Sequence, residues 1–280
     1  MTTPDRPIVR ISIILGLTLV FLIGGCASRT SKDGPPRSGS VPGQHLPSDP
    51  VPRSEPRSRY GNGPVYEVRG KRYRVMKSSY GYQERGVASW YGKKFHGRAT
   101  SSQETYDMHA MTAAHKTLPL PTYVEVRNLR NNKTVIVRVN DRGPFVDNRI
   151  IDLSYSAARK LDMLAAGTSL VEITAISFDR EPPPQVRQQS TTTTDPVERK
   201  STTDKLYVQV GAFGDQSNAR RRFSLLRKHG IRDAFVFEET GRSPTLYRVR
   251  IGPIANVKQY DIVVAKLEQI GIAETHLVTD

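Results

Sequence analysis

The side chains able to do chemistry gather between residues 86 and 152. Asp141 ends the run Thr134-Val135-Ile136-Val137-Arg138-Val139-Asn140 and precedes Arg142-Gly143-Pro144. That order puts a carboxylate at a strand-to-turn exit, where ligands often bind; a turn aspartate satisfying local amides has the same pattern. Glu104 lies in the polar run Thr100-Ser101-Ser102-Gln103-Glu104-Thr105-Tyr106-Asp107, as a functional acid or as a solvated loop carboxylate. Either group, as a general acid, needs a raised pKa from burial or a like-charged neighbour. His115 follows Ala113-Ala114; it can orient a carboxylate, bind a ligand or sit in a core on one hydrogen bond. Trp90, the only tryptophan, and Tyr91 can form a stacking surface or pack inside. Arg142 can pair with Asp141, bind an external carboxylate or brace its turn. Asp152 alternates with apolar neighbours in Ile150-Ile151-Asp152-Leu153-Ser154 and reads as a residue of the fold or of a helix start.

Other chemistries find no residues. The six histidines include no His-Glu-x-x-His pair and there is one cysteine, so no metal site is expected. No glycine-rich phosphate loop occurs, and no cofactor is implied. With 42 Lys and Arg against 27 Asp and Glu, the formal charge is +15, which favours anionic partners: nucleic acid, acidic lipid or cell-wall polymer.

The N-terminus narrows that choice. Arg6 and Arg10 flank an apolar run over residues 11–23, shorter than the roughly 20 residues of a membrane span and suited to a secretion signal. It ends in Ile23-Gly24-Gly25-Cys26, which resembles the lipobox of bacterial lipoproteins. That resemblance implies cleavage before Cys26, acylation of its thiol and, with Ala27 next, delivery to the outer membrane. The lone thiol is then spent, and the folded parts hold by packing alone. An exported, lipid-anchored chain would rarely meet nucleic acid, so none is expected as a partner.

The elements that position these residues follow from composition. Residues 26–64, rich in Ser, Pro, Gly and Arg, read as a flexible tether, and residues 181–204, with Pro182-Pro183-Pro184 and four consecutive threonines, as a linker. Two folded segments remain, 65–180 and 205–280. In the first, Tyr123-Val124-Glu125-Val126-Arg127 and the run 134–140 predict a hairpin about Asn131-Asn132, and Leu170-Val171-Glu172-Ile173-Thr174-Ala175-Ile176 a further strand. Residues 154–164 have helical spacing with Ser154 at the N-cap. Short strands with few helices suggest a small closed barrel. The second segment repeats itself: Val208-Gln209-Val210-Gly211-Ala212-Phe213 lies on Val249-Arg250-Ile251-Gly252-Pro253-Ile254, Leu226 on Leu267 and Gly230 on Gly271, each offset by 41 residues. Each copy reads strand, helix, strand. The helices are expected over 217–229, capped by Ser217, and 257–270, each followed by glycine. Two copies make a βαβ-βαβ sheet with both helices on one face. Gln209, Phe213 and Arg250 are placed on or beside the other face, with core packing and a solvated strand charge as the competing roles of Phe213 and Arg250.

Taken in order, Gly86-Val87-Ala88-Ser89-Trp90-Tyr91-Gly92, Phe95-His96-Gly97, Thr112-Ala113-Ala114-His115-Lys116-Thr117-Leu118-Pro119, Val139-Asn140-Asp141-Arg142-Gly143-Pro144-Phe145 and Arg149-Ile150-Ile151-Asp152-Leu153-Ser154 closely resemble the rare lipoprotein A family, the septal-ring lytic transglycosylases. The resemblance covers roughly residues 86–176 and implies a double-psi β-barrel. The repeat resembles the SPOR peptidoglycan-binding domain, of ferredoxin-like α+β build, through Tyr207-Val208-Gln209-Val210-Gly211-Ala212-Phe213 and Tyr247-Arg248-Val249-Arg250-Ile251-Gly252-Pro253. Implied are a mainly β catalytic domain followed by a SPOR domain, with Asp141 as acid/base and Glu104 as second carboxylate; His115 joins them as a candidate catalytic residue that orients a carboxylate or binds the sugar. Trp90 and Tyr91 become candidates to stack on a pyranose ring, and Arg142 to meet a stem-peptide carboxylate. A lytic transglycosylase manages with one principal acid/base because the muramic acid 6-hydroxyl replaces water, leaving a 1,6-anhydro end. SPOR resemblance implies stem-peptide-free glycan of the division septum as ligand, with septal proteins as further partners. One departure stands out: Gln103 occupies the place of the family's glycine, which suggests a differently shaped loop. The competing reading is a non-catalytic, expansin-like or structural lipoprotein that binds peptidoglycan, since a fold alone does not decide function.

Overall fold

The computed structural model describes residues 34–35, 46–178, 205–240 and 245–280. The secretion signal, Cys26 and the linker 181–204 lie outside the described residues. Strands β1 (Val65–Val68) and β2 (Lys71–Arg74) pair as an antiparallel hairpin. Its turn residues Arg69 and Gly70 both have positive φ, 52° and 75°, the primed turn whose twist matches the flanking strands. Six strands then close a barrel: β3 (Gln83–Tyr91), β4 (Thr112–His115), β5 (Thr122–Asn128), β6 (Thr134–Asp141), β7 (Arg149–Ser154) and β8 (Thr168–Ile176), in the order β3-β7-β4-β6-β5-β8. β3 runs parallel to β7 and β4 to β6, while the other neighbours are antiparallel. Closure leaves no unpaired strand edge.

The alternation of β5 and β6 explains the core. Val124 and Val126, with Val135, Val137 and Val139, point inward and are at most 2% exposed, joined by Ile151, Leu153, Val171 and Ile173. Each such side chain contributes roughly 1.5–3 kcal/mol on burial. Helix α1 (Tyr155–Lys160) starts at Ser154, whose hydroxyl accepts from Ala157 N at 3.2 Å and donates to the Ala110 carbonyl at 2.6 Å.

The expected tether of residues 26–64 needs correcting over 46–64, which lie as a strap along the barrel. Asp49 accepts from Ile136 N at 2.8 Å and pairs with Lys160 at 2.6 Å. Ser58 N donates to the Leu120 carbonyl at 2.8 Å, and Asn62 exchanges bonds of 2.7 and 2.8 Å with the Leu120 backbone. Gly61 has φ of +75°, and a Cβ there would stand 2.8 Å from the Ser101 carbonyl oxygen. Composition misleads here because the strap is held by a few polar side chains that satisfy barrel backbone groups, and apolar burial contributes little.

The C-terminal segment forms β9 (Leu206–Phe213), α2 (Gln216–Lys228), β10 (Ala234–Glu239), β11 (Leu246–Ile251), α3 (Val257–Gln269) and β12 (His276–Thr279). The sheet order is β10-β11-β9-β12, antiparallel throughout, as expected of two βαβ copies. Leu226 and Leu267, paired by the repeat, are both fully buried. Both helices end alike: Gly230 and Gly271 have φ of 75° and 78°, and the next residues, Ile231 and Ile272, donate back to Leu226 and Leu267 at 3.0 and 2.8 Å, satisfying carbonyls that a helix end leaves free. One cap differs from expectation. Asp215, not Ser217, caps α2 by accepting from Asn218 N at 3.0 Å, and Ser217 donates to Asp215 at 2.5 Å; a carboxylate is the stronger acceptor for helix-start N–H groups.

Candidate functional site

Asp141 is the last residue of β6 and is partly buried. Its Oδ1 accepts three hydrogen bonds, from Ser101 N at 2.8 Å, Ser101 Oγ at 2.7 Å and Arg142 N at 2.7 Å. Among the described residues nothing donates to Oδ2. The carboxyl group is thus fixed by one oxygen and presents the other. Its clamp is the loop 100–104, a tight turn closed by Thr100 N to the Glu104 carbonyl at 2.8 Å and Gln103 N to the Thr100 carbonyl at 2.9 Å. Gln103 has φ of +69°, the left-handed geometry that glycine adopts freely and other residues adopt at a cost of roughly 1–2 kcal/mol. The turn at Gln103 therefore has a conformation that glycine would adopt without strain.

Glu104 lies on the other side of the strand end. Side chains alternate across a strand, so Arg138 and Asn140 face away from the barrel interior that Val137 and Val139 fill. Both donate to Glu104: Arg138 Nη1 reaches its two oxygens at 2.9 and 2.8 Å, and Asn140 Nδ2 reaches Oε2 at 2.8 Å. Arg138 also pairs with Glu55 of the strap at 2.8 Å, and Glu55 accepts from Tyr123. The Arg138 hydrogen bonds outweigh burial and hold the Glu55 carboxyl at about 2. The loop thus straddles β6, with Ser101 on Asp141 and Glu104 on the outer face. No hydrogen bond joins the two carboxylates directly; they are linked through the loop.

His115 and Arg142, both expected near the carboxylates, brace the scaffold instead. His115 is 2% exposed. Its Nδ1 accepts from Thr117 N at 3.1 Å and Leu118 N at 3.0 Å, so Nε2 carries the proton and donates to Tyr82 Oη at 2.9 Å. Burial, helped by the charges of Arg142 and Lys116, pushes its pKa down to about 3. Neither nitrogen is left for Asp141 or Glu104. The Arg142 guanidinium donates to the carbonyls of Gly61 at 2.9 Å, His115 at 3.1 Å and Leu118 at 2.6 Å, and to Asn62 Oδ1 at 3.2 Å. Only its backbone N–H serves Asp141. A buried cation satisfied by carbonyls ties strap, β4 and the Asp141 turn together.

The aromatic pair is corrected as well. Tyr91 is 7% exposed and stacks on Tyr106 with centroids 4.1 Å apart, so its ring face is taken. Trp90 is partly buried, packs against the barrel core and meets Tyr155 edge-on at 6.0 Å. What the sequence did not reveal is the environment of the Tyr91 hydroxyl. It is buried, with the equally buried Thr112 hydroxyl as its neighbour; burial first, then Tyr106 and the charges of Asp141 and Asp152, raise its pKa well above the usual range. The strand register shows why both aspartates are near. Ala114 of β4 pairs with Asp141 on one side and Asp152 on the other, so a single small residue separates them laterally. Ser89 donates to Asp152, and a Cβ on Gly143 would lie 3.9 Å from Asp152 Oδ2. Asp152 therefore neighbours the Asp141 turn as well as the helix start. No signal in one sequence reveals this, because cross-strand register depends on the fold.

In the C-terminal sheet, Gln209 and Arg250 are cross-strand partners, each 8% exposed. Gln209 Oε1 and Arg250 Nε are buried without partners among the described residues, while Arg250 lies 4.6 Å from the Phe237 ring centroid and 3.7 Å from Asp280. Phe213 packs against the domain core and over Gly211, where a Cβ would meet its ring at 2.6 Å. Gln209 and Phe213 line a groove of about 570 Å³ with Arg222 and His276. Among the described residues no set of three His, Cys, Asp or Glu side chains is arranged to hold a metal.

Comparison with known proteins agrees with both halves of this architecture. The family model described as lytic transglycolase matches residues 83–173, and the SPOR domain model matches residues 202–275. The endolytic peptidoglycan transglycosylase RlpA of Vibrio cholerae is 47% identical over 184 residues, covering 64% of this chain and 68% of that protein. The protein of the same name from Pseudomonas aeruginosa is 36% identical over 280 residues, covering 84% of this chain and 81% of that protein. A crystal structure of the SPOR domain of Pseudomonas aeruginosa RlpA is similar over 26% of this chain and 96% of that chain, at 26% identity and a TM-score of 0.25. With barrel, site loop and C-terminal repeat each in place, this chain belongs to the RlpA family, as a double-psi barrel member with a C-terminal SPOR domain.

Proposed function

We propose that the protein is an endolytic lytic transglycosylase that cleaves the glycan strands of peptidoglycan and leaves 1,6-anhydro-muramic acid ends. The observation that carries this is the divided carboxyl of Asp141, with Oδ1 held by three donors and Oδ2 presented. One proton on Oδ2 protonates the departing glycosidic oxygen; the resulting carboxylate then takes the proton of the muramic acid 6-hydroxyl as it attacks the anomeric carbon. No water is consumed, so a second carboxylate to activate water is not needed. Asp152, across Ala114, adds negative charge beside Asp141, which favours an oxocarbenium-like centre. Glu104 acts through the loop: its pairing with Arg138 and Asn140 seats Ser101 on Asp141.

The SPOR domain supplies affinity for glycan stripped of stem peptides, with Gln209, Arg250 and the groove beside Phe213 as contacts. Joined through the linker 181–204, it raises the effective concentration of the barrel at the division septum. Lipidation at Cys26 anchors the chain in the outer membrane facing the periplasm, where septal proteins are further partners. Mass spectrometry of intact and stem-peptide-stripped peptidoglycan after incubation with the protein tests the reaction. Anhydro-ended products, more abundant from the stripped substrate, support both activity and preference. Reducing-end products would make the protein a hydrolase, and absence of products with binding intact would make it a glycan-binding protein only.

A further inference from the structure

Three aromatic side chains outside the barrel core surround the turn that leaves Asp141. Tyr66 of β1 stacks on Tyr73 of β2 with centroids 5.2 Å apart and planes 22° apart. Phe145, four residues beyond Asp141, meets Tyr73 at 5.6 Å and Tyr66 at 6.3 Å. All three are only partly buried, and the neighbouring Val65 and Val146 are 46% and 55% exposed. The hairpin bearing two of these rings precedes the region matched by the family model, which starts at residue 83.

The cluster stands outside the barrel core and is tied to its surroundings. Tyr66 Oη donates to the Lys116 carbonyl at 2.7 Å, and the Arg142 guanidinium lies 5.8 Å from the Tyr66 ring centroid. Lys71 of the hairpin pairs with Asp147 of the same turn at 3.6 Å. A Cβ on Gly143 would lie 3.9 Å from both the Phe145 ring and Asp152 Oδ2, which places the cluster at the turn beside the acid. Rigid aromatic faces next to a group that cleaves a glycosidic bond suit the C–H face of a pyranose ring, and their preorganisation lowers the ordering cost of binding. We infer that Tyr73 and Phe145, backed by Tyr66, form a sugar-stacking subsite flanking Asp141, which holds one pyranose of the glycan strand next to the bond cleaved. This rests on the glycan-cleaving reading above.

The test uses the full chain in detergent, with Tyr73→Leu and Phe145→Leu, which keep apolar volume and remove the ring, and Tyr73→Phe, which keeps the ring. With stripped glycan as substrate, each leucine variant is expected to raise KM about three- to tenfold with kcat little changed, while Tyr73→Phe behaves as wild type. Independently, a β-1,4-linked N-acetylglucosamine tetramer is added to the Asp141→Asn chain carrying fluorine-labelled tyrosine; the Tyr73 signal, assigned by its absence in Tyr73→Leu, is expected to shift. An unmoved Tyr73 signal together with wild-type KM in both leucine variants would overturn the subsite. Failure of the cleavage reading looks different: no product forms from any variant, whereas the fluorine shift with the sugar tetramer persists.

Discussion

Glu104→Gln separates a positioning role from a chemical one. The carboxylate accepts Arg138 Nη1 on both oxygens and Asn140 on one, at 2.8–2.9 Å. Buried charge-assisted bonds of this kind contribute about 1.5–3 kcal/mol each, but the side chain is 41% exposed. Solvent screening therefore reduces the whole set to about 1–2 kcal/mol. Glutamine keeps one carbonyl oxygen and turns an amide N–H toward a donor, so a loss of about 1 kcal/mol is expected, a shift of roughly 2–4 °C in the melting of the barrel. The larger effect is on the loop, because Ser101 seats Asp141. A displacement of this kind lowers kcat roughly 10- to 100-fold. The informative assay is a double-mutant cycle with Ser101→Ala, reading kcat on stripped glycan. If Glu104 works through Ser101, the second substitution adds little, with a coupling of about 0.5–3 kcal/mol. Independent, multiplicative losses, with Glu104→Gln alone as damaging as Asp141→Asn, would refute the positioning role and make Glu104 a reacting group.

Three further outcomes are expected. His115, at about 3 when folded, has an ordinary value near 6.5, so the unfolded chain binds a proton that the folded chain refuses between these limits. Its contribution to stability is complete above about pH 6.5 and declines at about 1.4 kcal/mol per pH unit below it; in urea unfolding, His115→Asn should flatten the fall between pH 7 and pH 5. Glu55 has the depressed value of a paired carboxylate, so its contribution is present above its ordinary value of 4.5 and is lost as pH falls toward about 2. Glu55→Gln should cost about 1–2 kcal/mol near pH 7, after allowance for screening, with the difference from wild type vanishing at the acid end. Gln103→Gly relieves a left-handed residue but adds freedom to the unfolded chain; these terms nearly offset, so unfolding free energy should change by less than about 1 kcal/mol with kcat retained.

Much of the fold is legible in the sequence because its signals are local. The alternation through Val135, Val137 and Val139 sets β6 and its inward face, and the 41-residue repeat sets the C-terminal topology. Ser154 is a cap wherever its helix goes. The candidate site is less legible. Asp141 at a strand exit is visible, but its neighbours come from register and loop path: Asp152 reaches it across Ala114, and Ser101 through a turn kept by Gln103. His115 and Tyr91 mislead because a histidine or tyrosine suited to chemistry has the same side chain as one satisfied in a core. The strap misleads for another reason. Disorder is inferred from a shortage of apolar side chains, whereas Asp49, Glu55 and Asn62 anchor it through polar bonds to groups that only the folded barrel presents.

The most direct test compares Asp141→Asn with Asp141→Ala, measuring melting temperature and anhydro-ended products from stripped glycan on the same preparations. Asparagine offers an oxygen to the three donors that hold Oδ1 but has no proton to transfer, so it should melt close to wild type and lose a factor of about 10²–10⁴ in rate. Alanine should lose the same activity and also melt lower, because Ser101 N and Ser101 Oγ lose their acceptor, at about 1–3 kcal/mol for each one left buried, while Arg142 N keeps Ser101 Oγ at 3.1 Å. Anhydro products formed by Asp141→Asn at the wild-type rate, with its fold intact, would contradict Asp141 as the acid/base.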